Sequence, residues 1–122
     1  MNGFVKSGLT LALTLCVCGR AYAHAHLLQS TPPADGVLAA SPSTLSLDFS
    51  EGLEIGLCGV ILKGQDGRVI PTGAAVLTPN DEKNITVPLN GVLRAGKYTV
   101  QWHSLSRDGH ATHGSYEFTV LP

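Results

Sequence analysis

Five histidines fall into two groups at opposite ends of the chain: His24 and His26 in "AHAHLLQ", and His103, His110 and His113 in "WHSLSRDGHATHG". Imidazole is the commonest protein metal ligand, so grouping of this kind raises the question of a metal. Asp108 and His110 stand on either side of Gly109, where the backbone is free to bend and bring a carboxylate and an imidazole together. His24 gains a second donor if the chain is cut directly before it: as a first residue it offers a free α-amine and an imidazole from one position, closing a chelate ring. With Asp108 and His110 the set becomes nitrogen-rich and roughly planar. Tetragonal N,O coordination is what Cu(II) prefers, and copper heads the divalent affinity series. A soft cage for Cu(I) would need thioethers or thiolates, and the only methionine is Met1. His24, Asp108 and His110 are therefore the candidate Cu(II) ligands.

The other histidines have weaker claims. A free amino terminus with histidine third is itself a Cu(II) and Ni(II) chelator, using the amine, two amides and the His26 ring. That mode leaves Asp108 and His110 idle and needs loose first residues, whereas strand pairing would hold them. His26 is thus an auxiliary candidate. His103 alternates out of phase with Trp102 and faces away from the core, either as an exposed strand residue or as a second auxiliary near the site. His113 reads as a solvated surface residue, and Asp108-Gly109 taken alone is an ordinary turn signal. Cys58, in an apolar segment, reads as a small buried hydrophobe.

The cut that liberates His24 has its own signal. Lys6 precedes an apolar run from Leu9 to Val17, and small residues stand at Ala21 and Ala23, the order of a secretory signal peptide with an A-x-A cleavage site. The run is about half the roughly 20 residues that span a bilayer, which disfavours stable membrane insertion. A lipoprotein leader wants a small residue before its cysteine, and Leu15 and Val17 precede Cys16 and Cys18. The expected organisation is a cleaved signal peptide over 1–23 and one domain over 24–122.

That domain keeps six Lys+Arg against nine Asp+Glu. A mildly acidic body without a basic cluster argues against nucleic acid or an anionic membrane surface as partner. Cys58 is its single cysteine, so no internal disulfide can form and an apolar core must carry the fold.

The elements that would position the ligands are strands. "TLSLDFS" puts Leu45, Leu47 and Phe49 on one face, the period-two pattern of a half-buried strand. "LCGVILKG" reads as a central strand, and "QDGR" carries a strong hairpin signal in Asp66-Gly67. "AAVLT", "KNITVPLN", "GKYTVQWHS" and "GSYEFTV" follow, the last two bringing Tyr98, Trp102, Tyr116 and Phe118 into a shared core. With a first strand around 27–29, about seven strands fit one domain, at the turn spacing of an all-β, immunoglobulin-like sandwich.

At this point the residues resemble a known family, the CopC-type copper-resistance proteins, including their shorter YobA-like members. "HAHLLQSTPPADG" resembles the family's amino terminus and "LSLDFSEGLE" its L-x-F-S-E segment. "AGKYTVQWHSLSRDGHATHGSYEFTV" resembles its carboxy-terminal block, which combines G-x-Y-x-V-x-W, S-x-D-x-H and G-x-Y-x-F. The resemblance implies a seven-stranded Greek-key sandwich exported to the periplasm and binding Cu(II) through His24, Asp108 and His110. It also implies, as a partner, an inner-membrane CopD-like copper transporter. The methionine-rich Cu(I) segment of some members has no counterpart here.

The expected function is Cu(II) binding for copper sequestration, resistance or delivery, without catalytic turnover. Two other classes compete with it. A histidine-brace redox enzyme would share the amino-terminal chelate, but typically pairs it with another histidine on an open substrate face, and this domain has few aromatics to form one. A metal-free immunoglobulin-like interaction module would leave the histidine grouping without a role.

Overall fold

Alternation of apolar and polar residues decides which segments pair and which face turns inward. In the computed structural model, which describes residues 25–122, the strands are β1 (Leu27–Thr31), β2 (Gly36–Leu38), β3 (Thr44–Phe49), β4 (Gly59–Lys63), β5 (Val69–Ile70), β6 (Val76–Thr78), β7 (Asp81–Pro88), β8 (Gly96–Leu105) and β9 (Ala111–Val120). The expected leader over 1–23 and His24 lie outside the described residues.

The strands form two sheets, ordered β1-β3-β7-β6 and β2-β9-β8-β4-β5. The chain passes repeatedly from one sheet to the other, and the architecture is the expected immunoglobulin-like Greek-key β-sandwich. All seven expected strands are present. The two additional ones are short: β2 lies parallel to the end of β9, and β5 closes a hairpin on β4 across the Asp66-Gly67 turn. Three and two residues are too few to display a period. Because β5 is only a fragment, β4 lies close to the sheet edge, and Ile61 on its outer face is 42% exposed.

Between the sheets, Leu45, Leu47, Phe49, Ile85 and Val87 of one face Leu62, Val100 and Phe118 of the other, all buried. Tyr98 stacks on Phe118 with ring centroids 5.5 Å apart, and Phe49 meets Trp102 edge-on at 5.2 Å. The Trp102 ring passes so close to Gly114 that a Cβ there would lie 2.7 Å from it. This approach needs glycine and fixes Trp102 inward. The longest ladder, β8 with β9, runs from Gly96↔Val120 to Leu105↔Ala111 and ends in the loop that carries Asp108 and His110.

Among the described residues no helix is long and apolar enough to cross a membrane. The only helical element there is a 3-10 turn over Ile55–Leu57.

Candidate metal centre

The β8–β9 hairpin closes through Arg107, Asp108 and Gly109, with the Ser106 amide donating to the His110 carbonyl at 3.0 Å and the Gly109 amide to the Ser106 carbonyl at 2.9 Å. Gly109 takes φ +93°, a conformation that disfavours any side chain. The bend turns the Asp108 carboxylate back toward the strand end, and its Oδ1 lies 3.1 Å from the His110 Nδ1. The two candidate ligands thus converge as expected, both partly open to solvent.

Ser106 holds them there. It is 1% exposed, its hydroxyl donates to Asp108 Oδ1, and its oxygen accepts the His110 amide at 3.2 Å. The His110 amide also reaches Asp108 Oδ1 at 3.4 Å. The Ser106 hydroxyl above all, with help from His110, holds the Asp108 carboxyl below its ordinary range against the opposing effect of partial desolvation. Arg107, between the two, anchors the loop from outside: its amide donates to the Gly52 carbonyl at 3.0 Å and its guanidinium pairs with Glu82 at 2.7 Å.

The amino-terminal segment runs to the same place. Ala25 is fully buried, and its carbonyl accepts the Thr112 hydroxyl at 2.7 Å. Thr112 in turn shares a 2.6 Å bond with Ser104 directly across the ladder. The next residue, His26, is fixed through its backbone: its amide donates to Ser50 Oγ and its carbonyl accepts from the Ser50 amide, both at 2.9 Å. Residues 50–54 then continue to the hairpin, where the Glu54 amide donates to the Leu105 carbonyl and Leu53 bridges Ser106. His26 is therefore held by a paired backbone.

His103 lies elsewhere. Along the ladder, Ser104↔Thr112 faces inward, and His103↔His113 occupies the opposite face, both residues exposed. His110 follows the phase of Thr112, so the structure does not bring His103 to Asp108 and His110. Among the described residues no group of three or more His, Cys, Asp or Glu side chains is placed to hold a metal. The third expected ligand, His24, is outside them. Cys58 is half-buried, with its thiol donating to the Glu54 carbonyl at 3.3 Å and accepting the Leu105 amide at 3.4 Å. Burial pushes its pKa up, which keeps the thiol protonated and a poor ligand at neutral pH.

Ser50, Ser106 and Thr112 shape the site; the first two stand in the L-x-F-S-E and S-x-D-x-H segments, which by themselves assign them no supporting role. For Ser106 and Thr112 the signal was available: each stands at even spacing from His110, on the inward phase of the same hairpin.

The CopC domain family model matches residues 27–121, and the chain belongs to that family. It is similar to YobA of Escherichia coli strain K12, with 39% identity over 116 residues, 95% of this chain and 94% of that protein. Among solved structures, CopC from Methylosinus trichosporium OB3b superposes with a TM-score of 0.76 at 31% identity, covering 81% of this chain and 95% of that one. PcoC, a methionine-rich copper resistance protein from Escherichia coli, superposes at 0.71 with 33% identity over 80% of this chain and 99% of that one.

Proposed function

We propose that this protein is a periplasmic Cu(II)-binding protein, holding its cargo through the amine and imidazole of His24 after removal of residues 1–23, together with Asp108 and His110. It serves copper sequestration, resistance or delivery and has no catalytic turnover. The observation that carries the reading is the bond from Thr112 to the Ala25 carbonyl. It ties the residue that follows His24 to a position two residues beyond His110.

The donor chemistry fits the cargo. One carboxylate and the imidazoles, with an amine, suit Cu(II), and a single methionine, Met1, offers no soft site for Cu(I). In this respect the chain differs from methionine-rich PcoC. The delivery branch pairs the protein with an inner-membrane CopD-like transporter, which the family resemblance implies. Competition titration with a Cu(II) chelator tests the ligand set. His24→Ala and His110→Ala should each weaken binding by at least about tenfold, the scale of losing one strong first ligand or its orienting shell. Unchanged affinity in either variant contradicts the proposal.

A further inference from the structure

His103 and His113 have no part in the ligand set above, yet the ladder sets them directly opposite each other on the outer face of the five-stranded sheet. We propose that this pair is a second, weaker site for an imidazole-preferring divalent cation such as Cu2+, separate from the one at Asp108 and His110. Directly opposed residues on antiparallel strands have Cβ atoms about 5 Å apart. Two imidazole nitrogens bound to one ion at about 2 Å each lie roughly 3 Å from one another, a spacing that two rings on such a scaffold can reach. The backbone between them is fixed by the longest ladder in the fold, so little chain entropy is lost on chelation.

The surroundings favour a cation. The two rings line a shallow open depression together with Ile61, Gln101 and Ser115, and among these described residues there is no lysine or arginine to repel an ion. Gln101 and Ser115 form the next outward pair along the ladder and offer oxygens to water completing the coordination shell. The site is built from two protein ligands, which makes it weaker and faster to exchange than a four-donor chelate.

Gly59 provides the movement this site needs. It is the β4 partner of His103, and the His103 ring lies over it: a Cβ at Gly59 would fall 2.2 Å from Cε1 and 3.0 Å from both ring nitrogens. The ring leans toward β4 and reaches His113 by moving to another staggered rotamer. A methyl group at residue 59 removes the resting place over β4. Gly59→Ala therefore biases the ring toward His113 and should tighten the second site.

The test is calorimetric titration of the protein with Cu2+ alone in a non-coordinating buffer, with residue-resolved paramagnetic broadening of the histidine ring protons. A second, weaker equivalent is expected, broadening His103 and His113 together. His103→Ala and His113→Ala should each abolish it while leaving the first equivalent intact, and Gly59→Ala should strengthen it severalfold. His110→Ala should weaken the first equivalent and spare the second, so failure of one site is read separately from failure of the other. Absence of a second equivalent in the unsubstituted protein overturns the proposal. So does a second equivalent that survives both histidine substitutions, as binding at His26 would, and so does a weaker second equivalent in Gly59→Ala.

Discussion

The Thr112 hydroxyl donates to the Ala25 carbonyl at 2.7 Å, across 87 residues of sequence. This bond fastens the amino-terminal segment to β9 beside the loop of Asp108 and His110, and it gives a barely noticed threonine a role in assembling the site. Thr112→Val keeps the shape and removes the hydroxyl, leaving buried Ser104 without this partner. The expected cost is about 1–3 kcal/mol in denaturant unfolding, together with weaker Cu(II) binding. The double variant Ser104→Ala/Thr112→Val should recover the part of that cost due to the stranded Ser104 hydroxyl, since a polar pair replaced by apolar groups is close to neutral. It should not recover copper affinity, because the Ala25 carbonyl stays unanchored. Recovery of both would mean that the bond only stabilises the fold.

Ser106 orients Asp108 from beneath. Ser106→Ala removes the strongest influence holding the Asp108 carboxyl low, so the carboxyl should titrate at higher pH, read by NMR of its 13C resonance. Copper affinity should fall by about 10- to 100-fold, the range for loss of a group that orients a ligand. An unmoved Asp108 titration would show that the hydroxyl does not act on the carboxylate.

Acid should act on the site in two separate stages. Imidazole must be deprotonated to ligate, so Cu(II) affinity should decline as pH falls through about 6.5. Asp108, whose pKa is lowered from the ordinary 3.8 in the folded protein, contributes stability that is complete above that value and is lost as pH falls below it through the depressed one. Copper affinity should therefore begin to fall while the loop is intact. Competition titrations across pH, paired with NMR of the Asp108–His110 loop, check the order, and loss of the loop at the same pH as the copper would refute it.

The sheets were legible because Leu45, Leu47 and Phe49, or Tyr116, Phe118 and Val120, keep strict alternation over enough residues to define a face. β2 and β5 were not, since three and two residues are too few to display a period; β2 in addition pairs with the distant β9, whereas β5 closes the hairpin that Asp66-Gly67 signals. The convergence of Asp108 and His110 followed from Gly109. The outward orientation of His103 followed from Trp102, but its partner required the register. His103 and His113 are equidistant from Asp108, and only a loop centred on that residue sets them opposite each other. The supports of Ser50, Ser106 and Thr112 are hydrogen bonds between segments far apart in sequence or inside a turn: hairpin phase turns Ser106 and Thr112 inward, but which groups they bond appears only in the fold.

The central claim is that export creates the chelating end group. Cu(II) titration followed by electron paramagnetic resonance, on the chain beginning at His24 and on one carrying a single extra residue ahead of it, tests this directly. The account predicts one tight, nitrogen-rich tetragonal site in the first form, with an altered spectrum and much weaker binding in the second. Identical spectra and affinities in the two forms would contradict it.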